Sequence, residues 1–254
     1  MTAALHDRVV LVTGAGAGLG RTLSLACAEA GAAVVVAGPG DNARATADRI
    51  TEGGGRAIFV RSDVTVPDDV NEAVAVAMER YGGLDAVVHN ATSRLSSRTT
   101  TIDELTGADW DDHVAVSLRG AYLCAVASFD LLRARRGRFV VMTSPAALEG
   151  SRTLPAYAAV KGALRGLVKS LAVEWGPYGV TTLALSPLAM TPALERACLD
   201  NPALRTRLDR MVPLGRIGDP DTDIAPVVVF LLGDGARYIS GQTIVVDGGR
   251  FTGL

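Results

Sequence analysis

The chain's hydrophobicity comes in short blocks, and their spacing leaves few folds open. Runs rich in Val and Leu occur at Val9 to Val12, Val34 to Val36, Leu84 to Val88, Phe139 to Met142, Leu183 to Leu185 and Ile244 to Val246. Each is short and, apart from Asp85, apolar on successive residues. Strands buried on both faces read this way, because neighbouring side chains point to opposite sides and both must meet core. The longer segments between them carry helical spacing, as in Leu19, Thr22, Leu23, Ala26, Cys27 and Ala30, or from Pro67 to Tyr81. Alternating strand and helix predicts a doubly wound α/β fold, a mostly parallel sheet of about seven strands with helices on both faces. Pro and Gly are spread along the chain without a linker or repeat, so 1–254 is expected to be a single domain.

Sheets of this kind bind ligands beyond the carboxyl ends of their strands, so the residues just after each run matter most. After the first comes Thr13-Gly14-Ala15-Gly16-Ala17-Gly18-Leu19-Gly20, whose glycines fit G-x-x-x-G-x-G rather than G-x-G-x-x-G. A turn without side chains lets backbone N–H groups and the following helix N-terminus approach a pyrophosphate. Gly14, Gly16, Gly18, Leu19 and Gly20 are therefore candidate dinucleotide-binding residues. Asp63-Val64 follows the third strand and His89-Asn90-Ala91 the fourth; these either contact an adenine or hold the central strands, and His89 is read as structural. Farther on, one of only two lysines, Lys161, stands four residues after Tyr157. On a helix such residues share a face, so a phenol and an ammonium converge on one reacting oxygen. Arginine would not serve there, since it stays charged and splays a wide fork where a compact, titratable charge is wanted.

In chain order, several motifs resemble the short-chain dehydrogenase/reductase family in its compact single-domain form, over essentially the whole sequence. They are Gly14, Gly18 and Gly20; Asp63; Asn90-Ala91; Ser144, thirteen residues before Tyr157; Tyr157 with Lys161; Pro187 with Thr191; and Gly241-Gln242 to Asp247-Gly248-Gly249. The resemblance implies an NAD(P)-dependent enzyme moving a hydride between the nicotinamide and the carbonyl carbon of a ketone or secondary alcohol. Tyr157 would be the general acid and base, because the substrate oxygen gains a proton on reduction and loses one on oxidation. A free phenol titrates near about 10, so work near neutrality takes a drop of roughly 2 to 3 units, or about 3 to 4 kcal/mol. Lys161 and the positive nicotinamide are expected to supply much of it. The resemblance further implies that Lys161 bonds the nicotinamide ribose, Ser144 orients the substrate oxygen, Pro187 lies beside the nicotinamide and Thr191 bonds its carboxamide.

Some positions depart from the family pattern. Ser117 stands where an asparagine usually holds a water linking the lysine to solvent; its hydroxyl either keeps a weaker relay or bonds locally. Thr92 and Leu188 replace glycines that would lie close to the nicotinamide. Members that select NAD carry an acidic residue at the end of the second strand, where Gly38 stands here. Its loss removes the barrier to a 2′-phosphate, so NADP is favoured over NAD, with Arg44 as the cation expected to reach it. The segment 188–213 is expected to form a substrate lid, and Leu148, Leu154, Leu188, Met190, Leu194, Leu199 and Leu204 suggest an apolar pocket or packing of that lid.

A net charge of −2 gives no reason to expect nucleic acid or an anionic membrane as partner. Three scattered cysteines and three scattered histidines lack metal-ligand spacing, and Asp7 and Arg8 precede any apolar run of signal-peptide length. A cytoplasmic enzyme acting on a small carbonyl or alcohol substrate is expected. Apolar faces on the helices Asp109 to Arg133 and Pro155 to Trp175 suggest a homodimer or homotetramer. Two rival readings stand. One is a 3-oxoacyl-thioester reductase whose Arg133, Arg135, Arg136 and Arg138 dock an acidic carrier protein, although that cluster also reads as a solvated helix end. The other is a nucleotide-binding regulatory protein with vestigial catalysis, suggested by Ser117, Thr92 and Leu188.

Overall fold

The first apolar run divides its side chains between two cores, with Val9 and Leu11 in one and Val10 and Val12 in the other. That division is what an unbroken apolar strand requires, and it recurs across the sheet. The computed structural model describes residues 4–200 and 202–253. Its strands are β1 (Val9–Thr13), β2 (Ala33–Gly38), β3 (Arg56–Arg61), β4 (Ala86–His89), β5 (Arg138–Met142), β6 (Thr181–Pro187) and β7 (Thr243–Val246). They form one seven-stranded sheet in the order β3-β2-β1-β4-β5-β6-β7, and every neighbouring pair is parallel. The order reverses between β1 and β4, which places a ligand crevice beyond their carboxyl ends.

Helices cover both faces. On one side α1 (Gly18–Glu29), α2 (Asp41–Glu52) and α10 (Ala225–Leu232) bury Leu23, Ile50 and Leu231 against Val10, Val34 and Val88. On the other, α3 (Pro67–Tyr81), α5 (Gly120–Arg135) and α7 (Pro155–Trp175) bury Val70, Leu132 and Leu164 against Leu11, Val35 and Val87. β3 is the weakest strand to read from sequence because it lies at the sheet edge, where Arg56 and Arg61 are exposed and the apolar run is short.

The helix before β5 is not uniform. α4 (Gly107–His113), capped by the Thr106 hydroxyl accepting from the Asp109 amide at 3.1 Å, runs into a π-helical turn over Val114–Arg119 and continues as α5. In that turn the Gly120 amide bonds the Ala115 carbonyl, one residue beyond α-helical reach. Among the described residues, Gly107–Arg135 is the one helix long and apolar enough to cross a membrane. Its Ala121, Cys124 and Leu132 are spent instead in the core beside the sheet. Beyond β6, α8 (Pro192–Asp200) and α9 (Pro202–Met211) make up the segment expected as a lid, of which residue 201 lies outside the described residues.

Candidate active site

Pro155 starts α7, and Tyr157 and Lys161 lie in its first two turns, facing the end of β5. Lys161 is 2% exposed; its Nζ donates to the Met142 carbonyl at 2.7 Å, and the Thr143 hydroxyl donates to the Lys161 carbonyl at 2.8 Å. These two bonds fix α7 on β5. Burial lowers the Lys161 pKa to about 8, so the ammonium is held with little to spare. Ser144 follows β5, its Oγ accepts from the Ala146 amide at 3.2 Å, and its hydroxyl lies near enough to Tyr157 to favour the phenolate. The structure thus brings Tyr157, Ser144 and Lys161 together at one strand end.

One expected effect runs the other way. The Tyr157 hydroxyl is pushed above the usual phenol range by burial, with the neighbouring Ser144 hydroxyl opposing. The Lys161 Nζ lies 5.7 Å over the centre of the Tyr157 ring, and its attraction does not offset the desolvation.

Ser117 is fully buried in the π-helical turn, and both of its polar groups are committed. Its hydroxyl pairs with that of Thr92 at 3.2 Å, and its carbonyl faces His89 Nε2 at 3.0 Å. A carbonyl only accepts, so Nε2 carries the proton and Nδ1 is left to accept from the Thr13 hydroxyl at 3.2 Å. Thr13 Oγ1 in turn accepts from the amides of Asn90 and Ala91 at 3.1 and 3.2 Å. His89 therefore ties β1, β4 and the π-helical turn together as a structural residue, its pKa pushed down to about 3 by burial and by the Lys161 charge. Thr13 and the Thr92–Ser117 pair went unrecognised in the sequence; the signal for Thr13 was a hydroxyl as the last residue before the glycine turn.

The glycine turn has the features an anion site needs. α1 begins after Ala17 with no side-chain cap and no acidic residue in its first turn, so the N–H groups around Gly18, Leu19 and Gly20 keep free hydrogen-bonding capacity. Gly18 has φ of +49°, and a Cβ there would meet only Pro192 Cδ, at 3.9 Å, so the turn is open toward α8. At Gly20 a Cβ would lie 2.2 Å from the Gly14 carbonyl oxygen. Asn90 Nδ2 donates to the Thr13 and Gly14 carbonyls at 3.2 and 3.1 Å, and Arg21 donates to the Gly16 carbonyl at 2.8 Å. Of the alternatives open in the sequence, Asn90 and Ala91 hold the central strands and the turn. The free N–H groups and the open face at Gly18 fit a dinucleotide.

At the adenosine end, Asp63 is exposed and one carboxylate oxygen accepts from the Thr65 amide at 2.9 Å, leaving the other for a ligand. The Val64 side chain is buried in the core, so only its backbone can serve. Gly38 lies at the end of β2, where a Cβ would come within 3.0 Å of Ala43 Cβ. The Arg44 guanidinium stacks on Phe59, 4.5 Å from the ring centre. The cation beside Gly38 is Arg61, its partner in register, which donates to the Pro39 carbonyl at 2.6 Å and pairs with Asp41 at 3.2 Å. Pro187 ends β6, and the Thr191 hydroxyl accepts from the Leu194 amide at 3.3 Å, which leaves its own proton free to donate. Leu188, Met190, Leu194, Leu204, Leu148 and Leu154 are half-buried around this end, while Leu199 is 75% exposed and lines nothing.

The arginine cluster takes the helix-end arrangement. It lies between the C-terminus of α5 and the start of β5, at the opposite end of that strand from Ser144. The five residues of β5 put roughly 16 Å between the two ends. Arg133 packs over Tyr178, Arg135 donates to the Gly82 carbonyl at 2.7 Å, and Arg138 is buried and bonds the Arg136 carbonyl at 2.7 Å. The cluster is a helix end whose arginines are spent largely on local contacts, at the other end of β5 from Tyr157.

A nucleotide-binding oxidoreductase is the class of protein that this fold and this group of residues define. Residues 14–250 match the family model described as Enoyl-(Acyl carrier protein) reductase. The chain belongs to the short-chain dehydrogenase/reductase family. It is 36% identical to L-rhamnose 1-dehydrogenase (NAD(P)(+)) of Azotobacter vinelandii over 98% of this chain and 99% of that one. The short-chain reductase protein NovJ of Streptomyces niveus is 35% identical over 98% and 95%, and the 3-oxoacyl-[acyl-carrier-protein] reductase FabG of Staphylococcus epidermidis is 33% identical over 96% and 99%. Among solved structures, a 7α-hydroxysteroid dehydrogenase complexed with NADH and 7-oxo glycochenodeoxycholic acid superposes with a TM-score of 0.90 at 27% identity, covering 98% and 96% of the two chains. The chain is an NAD(P)-dependent oxidoreductase acting on CH–OH or carbonyl groups.

Proposed function

We propose that Tyr157 is the acid and base of a reaction interconverting a secondary alcohol and a ketone, with Ser144 orienting the substrate oxygen and Lys161 fixing the nicotinamide ribose. The carrying observation is the convergence of Tyr157, Ser144 and a buried Lys161 at one strand end, with the Lys161 ammonium over the Tyr157 ring and the Ser144 hydroxyl acting to favour the phenolate. Lys161 Nζ has three donors and spends one on Met142, so two remain for ribose hydroxyls. The hydride itself is the chemistry a bound nicotinamide supplies, and its positive oxidised ring adds the charge that Tyr157 needs to ionise near neutrality. Gly14, Gly16, Gly18, Leu19 and Gly20 cradle the pyrophosphate, with Thr191 at the carboxamide and Asp63 and Val64 at the adenine.

NADP is the proposed nucleotide. The absence of a carboxylate at Gly38 and the position of the Arg61 guanidinium beside it support this choice over NAD. The half-buried leucines of 188–213 and those near Tyr157 support a substrate with an apolar body, as the steroid of the 7α-hydroxysteroid dehydrogenase has. A thioester substrate keeps the support of relatives such as FabG, but it would have to arrive without help from the Arg133 to Arg138 cluster. Assembly as a homodimer or homotetramer is supported by Tyr122 and Val126 on α5 and Val173 on α7, which are 54%, 61% and 81% exposed. Buried free thiols at Cys27 and Cys124 support a reducing, cytoplasmic setting. The reading is tested by fluorescence titration with NADPH and NADH, followed by a panel of ketones, secondary alcohols and 3-oxoacyl thioesters. Tighter binding of NADPH and turnover of apolar ketones are expected; no turnover on any member of the panel would overturn the assignment.

A further inference from the structure

His113 ends α4 where the π-helical turn begins, and its ring meets that of Tyr157 edge-on, with centroids 6.4 Å apart. The side chain is 5% exposed, yet Nδ1 is buried without a hydrogen-bond partner. Buried polar atoms are nearly always bonded, and an exception next to a reacting group points to a held water or to a group used during turnover. The other buried histidine shows what full commitment looks like, since both nitrogens of His89 are bonded.

The residue that would ordinarily link this site to solvent has nothing left to offer. The Ser117 hydroxyl is taken by Thr92 and its carbonyl by His89. His113, one helical turn earlier, carries a buried polar atom on the same helix that is still unspent. The charges around it are Tyr157 and Lys161 from α7, Asp112, whose carboxylate accepts from the Ser93 hydroxyl, and Asp109, paired with Arg98 at 3.5 Å. Burial, and to a smaller degree Lys161, lower the proton affinity of the ring against the pull of the two aspartates, so it is neutral at neutral pH with one nitrogen able to accept.

We propose that His113 is the positioning residue through which Tyr157 exchanges its proton with solvent, by way of one water held at Nδ1. The inference rests on Tyr157 being the acid and base. In alcohol oxidation the alcohol proton passes to the Tyr157 oxygen. Tyr157 then gives a proton to the water, the water gives one of its own to Nδ1, and the imidazolium loses a proton from Nε2 to solvent. Reduction runs the same path backward, and the ring regains its starting tautomer by exchange with solvent.

The test compares wild type, His113→Leu and His113→Gln on an alcohol from the panel, across a pH range of about 5 to 9 that brackets the ordinary imidazole value of about 6.5. His113→Leu should lower kcat at least about tenfold, the low end for a lost proton-transfer group, with KM nearly unchanged and with an altered pH profile. His113→Gln, whose amide can hold the water, should recover part of the loss. Independently, the chain has only three histidines, so the His113 imidazole signal can be followed by NMR without substrate. Its titration should shift in Tyr157→Phe, and this measurement decides the matter if His113→Leu does not fold. A folded His113→Leu with the wild-type kcat and pH profile, or a His113 titration indifferent to Tyr157→Phe, would overturn the proposal. Wild-type turnover in Tyr157→Phe would instead remove the reading on which it rests.

Discussion

At the Tyr157 end of the crevice Lys161, Ser117 and His89 are each 2% exposed or less and each is hydrogen-bonded inside the protein. At the adenosine end Arg61 and Asp41 are 61% and 84% exposed and meet through one ion pair of 3.2 Å. The contrast is one of how function is distributed. In the buried region each hydrogen bond lacks competition from water, so single residues carry large effects. In the exposed region screened charges each contribute little, and cofactor choice is spread over several weak contacts.

The largest expected effect follows from the buried end. Lys161→Met keeps the bulk of the side chain and removes the ammonium tied to Met142, so turnover should fall at least about a hundredfold, or about 2.7 kcal/mol. Steady-state kinetics on a turned-over ketone measures it, and a loss below tenfold would break the contrast. His89→Leu comes next. It leaves the Ser117 carbonyl and the Thr13 hydroxyl without their partner, and urea unfolding should show a loss of about 2 kcal/mol.

A pH prediction follows from the same residue. The folded-state pKa of His89 is pushed down to about 3, below its unfolded value of about 6.5. The unfolded chain therefore takes up a proton that the folded one refuses. Stability is complete above pH 6.5 and falls on acidification at about 1.4 kcal/mol per pH unit for this group. Denaturant midpoints between pH 7.5 and 5, before most carboxylates titrate, should decline in wild type and decline less in His89→Leu. The smallest effect belongs to the exposed end: Arg61→Gln should weaken NADPH relative to NADH only severalfold, under about 1 kcal/mol. A hundredfold change there would mean that the adenosine end, too, is governed by one residue.

The same contrast explains what the sequence could be made to say. Six strands were legible because buried parallel strands write themselves as apolar runs, while β3, with Arg56 and Arg61 exposed, left no such run and was marked only by Asp63 after it. Tyr157, Ser144 and Lys161 were legible because helix geometry and strand-end position constrain them together. The π-helical turn at Ser117 was not, since a one-residue change of hydrogen-bond register leaves no mark in residue spacing. Charged side chains misled most. Arg44 was expected at the nucleotide and stacks on Phe59, and the Arg133 to Arg138 group, weighed both as a helix end and as a docking site, lies at the end of β5 away from Ser144. Long cations reach in many directions, and their partners are set by tertiary packing.

The central claim is that chemistry resides in the buried group on α7 while nucleotide binding is held elsewhere, by the turn from Gly14 to Gly20 and the ends of β2 and β3. Tyr157→Phe, assayed for turnover and for NADPH affinity on the same preparation, tests it most directly. The account predicts a loss in kcat of at least about a hundredfold with the NADPH dissociation constant within about twofold of wild type. Near wild-type turnover, or a loss of turnover fully matched by lost NADPH binding, would contradict it.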